Sequence, residues 1–120
     1  MGQAVAVKRE ARAHFIWTQR RLLAREQAGP GGGVLCAHCG RWHACSDDME
    51  LSHRIADTKP NRRRYGVNIV DHVFNKALVC PGLRGGVSCN DAMNCGNKPA
   101  TAAALVRRIR GALEREGGLV

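Results

Sequence analysis

A chain of 120 residues has room for one compact domain, or for a small core with helical appendages. Two Phe, two Trp and one Tyr give little aromatic bulk, so a core this small gains from an added staple. The formal net charge of +9, from 19 Lys and Arg against 10 Asp and Glu, points to a polyanionic partner, most commonly nucleic acid.

In chain order, Gln3 to Gln27 reads as a helix. Val7, Ala11, Phe15 and Leu22 recur at near-helical spacing, and Ile16 and Leu23 widen the stripe. Arg9, Arg12, Arg20, Arg21 and Arg25 fall elsewhere and are expected in solvent. Met1 to Arg12 holds neither a continuous apolar run nor a cleavage-site pattern, so no signal peptide is expected. No stretch approaches the roughly 20 apolar residues that cross a bilayer. Gly29-Pro30-Gly31-Gly32-Gly33 is expected to be a flexible hinge. Glu50 to Ile55 has the alternation of a short strand, with Leu51, His53 and Ile55 on one side. Lys59 to Gly66 reads as a polar, basic loop. Val67 to Val79 gives no clear element, and Cys80 to Cys89 reads as a glycine-rich turn. A second helix is expected from Pro99 to Glu116, with Ala102, Leu105, Val106, Ile109 and Leu113 as its apolar stripe and Gly117-Gly118 as its stop. The organisation expected is therefore a helix over 1–28, a hinge over 29–33, a cysteine-bearing core over 34–98 and a helix over 99–120.

Six cysteines, Cys36, Cys39, Cys45, Cys80, Cys89 and Cys95, all fall in that core. In the cytoplasmic setting that the missing leader suggests, thiolate ligation of a metal is favoured over disulfides. Cys36-x-x-Cys39 places two thiolates on one tight turn, and Cys80 and Cys89 complete a tetrahedral zinc set across a glycine-rich return. Cys45 with His43, or Cys95, are the alternatives for one of the four. Otherwise Cys45 and Cys95 are expected as small buried apolar residues, and His38 and His43 as solvated loop residues.

From Cys36 to Asn94, about half of the chain, the sequence resembles the HNH nuclease family. The residues that carry the likeness are Cys36-x-x-Cys39, Glu50-Leu-Ser-His53-Arg-Ile, Asn75-Lys-Ala-Leu-Val-Cys80 and Cys89-Asn90. Phage-encoded members are the most similar, and the Cys-Asn step is similar to the phage recombination endonuclease VII group. The resemblance implies an α+β fold: a small ββα-metal (His-Me finger) core with a structural Zn²⁺, flanked by N- and C-terminal helices. It implies a DNA endonuclease leaving 5′-phosphate and 3′-hydroxyl ends. His53 would be the general base, a task suited to a group titrating near neutrality. Asn75 would fix the His53 ring, and Asn90 would ligate a catalytic divalent ion such as Mg²⁺.

The sequence departs from that pattern at Ser52, where the family carries an Asp or His ligand. Either Ser52 and Asn90 hold the ion loosely, or Glu50 or Asp57 compensates, or the site binds DNA without cutting it. Asp71-His72 is a rival to His53 for the base, though it lies very close to Asn75; otherwise His72 is a partly buried strand or loop residue. Lys59, Arg62, Arg63 and Arg64 fall between base and Asn and are expected to contact DNA phosphates; Arg107, Arg108 and Arg110 are weaker candidates. Trp17 and Trp42 are expected to pack rather than stack on bases. The alternatives to a nuclease are a non-catalytic zinc module that binds nucleic acid and an assembly protein working through its helices. Phage packaging proteins or a second copy of the chain are the further partners considered.

Overall fold

A computed structural model describes residues 2–84 and 87–117, with the side chains of residues 2–7, 84 and 87 outside that description. The fold is α+β. In chain order the elements are α1 (Gly2–Glu26), β1 (Val34–Leu35), β2 (Trp42–His43), β3 (Glu50–His53), α2 (Lys59–Tyr65), α3 (Val67–Val70), β4 (Lys76–Val79), β5 (Leu83–Arg84), β6 (Val87–Ser88), α4 (Cys89–Met93) and α5 (Pro99–Arg115). Each strand pair is antiparallel: β1 with β2, β3 with β4, and β5 with β6. None of the described helices is long and apolar enough to cross a membrane.

The central pair sets the frame. Its register matches Glu50 with Val79, Leu51 with Leu78, Ser52 with Ala77 and His53 with Lys76. Two apolar clusters flank it. One gathers Leu23, Val34, Met49, Leu78 and Val79 around Cys36, Cys80 and Cys89. The other gathers Ile55, Ile69 and Val70 under Leu105, Val106, Ile109 and Leu113 of α5. The stripe read for α5 is the one it buries, with Ala112 added.

The α1 helix matches its expected span, but its buried face is rotated from the one expected. Leu23 is buried, while Phe15 and Leu22 are 40% and 44% exposed; the side chain of Val7 lies outside the described residues. The inward face includes Arg12, Ile16, Gln19, Arg20, Leu23 and Gln27, at helical spacing and largely polar. Arg12 holds the Asp71 carboxylate, and Gln19, Arg20 and Gln27 satisfy main-chain groups. Gln27 Nε2 donates to the carbonyls of Leu35 and Leu78, both at 2.8 Å, and its Oε1 accepts from Leu78 N–H at 2.9 Å. It thereby covers the outer edge of β4, where unpaired main-chain groups would otherwise remain. Arg20 donates to the carbonyls of Ser46 and Met49, and Gln19 to that of Asp71. Arg12 and Arg20, expected in solvent, are therefore structural contacts.

The glycine run contains a 3-10 turn at Pro30–Gly32. Gly29 N–H bonds to Gly33 O, and Trp42 Nε1 donates to Pro30 O at 2.8 Å. A Cβ on Gly33 would collide with the Trp42 indole, so glycine is required there by close approach. Trp42 lies against Gly33 yet is 48% exposed, and Trp17 is 54% exposed beside His14 and Arg21, so both pack less than expected.

Two further segments differ from the sequence reading. Lys59 to Tyr65 is helical rather than a loop: Thr58 accepts from Asn61 N–H as its N-cap, Pro60 lies in the first turn, and Gly66 ends it at φ +93. The segment that gave no clear element resolves into α3, a 3-10 turn at Val73–Asn75 and β4. The expected turn between Cys80 and Cys89 carries the β5–β6 pair, and Gly85 and Gly86 within it lie outside the described residues.

Gln27→Ala is expected to cost about 1–3 kcal/mol, because it leaves Leu78 N–H of β4 without its partner, while Leu78 O keeps Ala37 N–H. Urea unfolding of the two proteins under identical conditions measures the difference, and equal midpoints would show that α1 does not secure this edge.

Candidate metal centre and its surroundings

Four sulfurs converge at the first apolar cluster. Cys36 and Cys39 lie on the turn between β1 and β2, Cys80 follows β4, and Cys89 opens α4. Their Sγ atoms all lie within 4.8 Å of one another, a cluster that can hold a metal ion such as zinc. Gly40 at φ +76 supplies the left-handed turn after Cys39, and Gly40 N–H bonds to Cys36 O. Cys39 Sγ is 3.5 Å from Cys80 Sγ. Cys36, Cys80 and Cys89 are buried and Cys39 is exposed.

The electrostatics of the thiols explain why a cation fits. Burial works against ionising Cys36, yet main-chain N–H groups of Cys39 and Cys80 pointing at its Sγ hold its pKa down to about 6. Burial, then the sulfurs of Cys39 and Cys36, push Cys80 up to about 12, and burial also raises Cys89. Four adjacent thiolates repel one another, and a divalent ion is what lets all of them ionise together.

The other cysteines and histidines of the core fall into place around this cluster. Cys95 is buried and donates to Arg54 O, as a small packed residue should. Cys45 is exposed, near Asp48, and so is not the buried residue expected. His38 is exposed. His43 is a correction: its Nε2 lies 3.2 Å from Cys80 Sγ, so it supports the cluster rather than facing solvent. Its place on β2 arises from the β1–β2 pairing, which CxxC spacing does not reveal.

Beyond the sulfurs, β3 brings Glu50 and Ser52 together with Asn90 of α4 but does not bring His53 to them. Its alternation turns Glu50 and Ser52 toward α4 and His53 to the other side, where Lys76 stands opposite. Ser52 is fully buried, and its hydroxyl donates to Asn90 O at 3.4 Å. Asn90 Nδ2 donates to Glu50 Oε2 at 3.3 Å, and Gly82 N–H donates to Glu50 Oε1. Glu50 is thus the carboxylate beside Asn90, while Asp57 is paired with Arg62 at 2.8 Å.

Asn75 is fully buried and does not bond to the His53 ring, contrary to the expectation. Its Oδ1 accepts from Ile55 N–H at 2.8 Å, and its Nδ2 donates to the carbonyls of Ile55 and Val70. Its own carbonyl accepts from Arg54 N–H. Asn75 therefore fixes the main chain on the C-terminal side of His53, and with it the end of β3.

His53 Nε2 is buried and has no hydrogen-bond partner among the described residues. Burial, and then the Lys76 charge, lower its pKa below the ordinary 6.5. Burial also brings Lys76 down to about 8; its Nζ bonds to Gln19 Oε1 and lies 5.0 Å from the Phe15 ring centre. Asp71 and His72, the rival pair, are otherwise engaged. Arg12 and Arg62 both hold the Asp71 carboxylate, and their charges outweigh burial to keep it ionised. His72 is buried, accepts from Phe74 N–H at Nδ1 and meets Glu116 at Nε2. Of the expected phosphate contacts, Lys59, Arg63 and Arg64 are exposed on α2, whereas Arg62 is bound to Asp57 and Asp71.

Two outcomes are expected. The purified chain should carry one Zn²⁺ per molecule by elemental analysis, lost in Cys36→Ser or Cys89→Ser and kept in Cys45→Ser or Cys95→Ser. Acidification should release it, because protonated thiols do not ligate; full zinc retention in both Cys36→Ser and Cys89→Ser would remove this ligand set. For His53, an NMR titration should give a midpoint below 6.5 that rises in Lys76→Met; the neutral imidazole then persists as pH falls toward the lowered value. An unchanged midpoint in Lys76→Met would remove Lys76 as a cause.

Compared with protein-family models, curated proteins and solved structures, the chain gave no match in any of the three.

Proposed function

We propose that this protein is an HNH-type, metal-dependent DNA endonuclease built on a ββα-metal core. The observation that carries the reading is the β3–β4–α4 arrangement. β3 ends on His53, β4 returns antiparallel to it, and α4 begins at Cys89-Asn90 and packs on β3. Thiols of the proposed structural zinc precede β3 and follow β4, so metal and strands fix one another.

In this reading His53 removes the proton from the attacking water. A neutral Nε2 without a partner among the described residues suits that task, and burial and the Lys76 charge favour the neutral form by lowering the pKa. Asn75 is a positioning residue acting through the main chain of Arg54 and Ile55. Asn90 and the Glu50 carboxylate beside it offer the oxygen donors that Mg²⁺ prefers. Such an ion, when bound, would stabilise charge on the scissile phosphate and on the departing 3′ oxygen. Ser52 contributes no charge, and its hydroxyl is turned to the Asn90 carbonyl, so Glu50 replaces it as the second candidate ligand.

A second reading, a non-catalytic zinc module that binds DNA, draws on the same Ser52. Its burial leaves the position before His53 without an anionic donor.

Plasmid nicking separates the two. Supercoiled DNA with Mg²⁺ or Mn²⁺ should be nicked by the native chain, and His53→Ala should reduce the rate on the order of a hundredfold or more. The metal-free control omits divalent ions rather than adding a chelator, so that structural zinc stays bound. Retarded mobility without nicking across several divalent ions would favour the binding module.

A further inference from the structure

A cleft of about 590 Å³ lies between α2 and α5. Arg64 lines it from α2, and Arg107 and Arg110 line it from α5, one helical turn apart and so on the same face. Its lining includes no carboxylate. Among the described residues none of these three arginines forms an ion pair, in contrast to Arg12 and Arg62. Arg108, between the two on α5, turns away to lie 4.1 Å over the Phe74 ring. Asn94 also lines the cleft; its Oδ1 is held by Gly96 N–H at 2.6 Å, which leaves its amide NH₂ as a neutral donor. Arg64, whose guanidinium lies 5.1 Å from the Tyr65 ring centre, thus faces Arg107 and Arg110 across a cleft with no carboxylate in its lining.

The position of the cleft ties it to the site. One wall is Ile55 and Ala56, which directly follow His53-Arg54 and are fixed there by Asn75 and Asn61. Asn94 follows α4, which carries Asn90. A polyanion lying in the cleft is thus led toward the segments carrying His53 and Asn90.

We infer that the α2–α5 cleft binds the phosphodiester backbone of the DNA strand flanking the one to be cut, through Arg64, Arg107 and Arg110. This rests on the reading of the site as one that meets DNA. Guanidinium forks match phosphate oxygens in pairs, and unpaired arginines bind them without first breaking an ion pair. The volume is that of a pocket taking a small ligand, so it receives a short stretch of one backbone rather than the width of a duplex. Contacts of this kind hold the strand in place and carry no sequence preference.

The test is fluorescence anisotropy with a labelled DNA duplex and with its labelled single strand, over a range of salt and with no divalent ion added. Arg107→Gln/Arg110→Gln should weaken binding roughly tenfold or more and reduce the log–log salt slope by about 2. Arg9→Gln/Arg25→Gln, on α1 and outside the cleft, removes the same charge and should change affinity no more than about twofold. Gln matches Arg in helix propensity, and unchanged zinc content and unfolding midpoint verify the fold. Equal losses in the two variants, or no loss in the first, would overturn the cleft while leaving the nuclease proposal intact. Binding that depends on the cleft in a chain that never nicks DNA would uphold it and overturn the nuclease. Absence of DNA binding by the native chain would overturn both.

Discussion

Four sulfurs within 4.8 Å of one another constrain this fold more than any other feature. They come from the β1–β2 turn, the end of β4 and the start of α4; Cys36, Cys80 and Cys89 are packed in the apolar cluster, and Cys36 Sγ accepts from two main-chain N–H groups. Without a cation the set is electrostatically mismatched: Cys36 favours the thiolate, while Cys80 and Cys89 resist it. With a divalent ion the mismatch becomes a cross-link between segments that have little apolar surface of their own. The short strands, only two to four residues long, are consistent with a domain secured by such a centre rather than by extended sheet.

The second constraint is polar. Gln19, Gln27, Asn61 and Asn75 each bond to main-chain groups, fixing loops and edges that two-stranded sheets leave open. Asn75 has the greatest reach, since it joins the end of β3 to the α3 segment and stands at the entry to β4. Rigidity at His53 is therefore delivered through the backbone. The ring's buried Nε2 has no hydrogen-bond partner among the described residues.

Charge is partitioned in the same economical manner. The positive excess is not one uniform surface: Arg12 and Arg62 are spent on Asp71, Arg20 on main-chain carbonyls, and Lys76 is buried against Gln19. Arg64, Arg107 and Arg110 differ from these in lining one cleft whose walls carry no carboxylate.

Local chemistry determined much of this in the sequence alone. The α5 stripe, the span of α1, the strand at Glu50 and the four cysteines follow from periodicity and ligand type, which neighbours only reinforce. The α2 helix was written there too, in Thr58 and Pro60, but a run of arginines masks so short a helix. Other features belong to the tertiary structure. Which face of α1 turns inward was decided by carbonyls and edge groups offered by Leu35, Ser46, Met49, Asp71 and Leu78, and no hydrophobic pattern encodes such partners. The approach of His43 to Cys80, the retirement of Arg62 into an ion pair and the meeting of Arg64 with Arg107 and Arg110 have the same origin. The first and last join residues far apart in the chain, and all three depend on how the helices and strands pack.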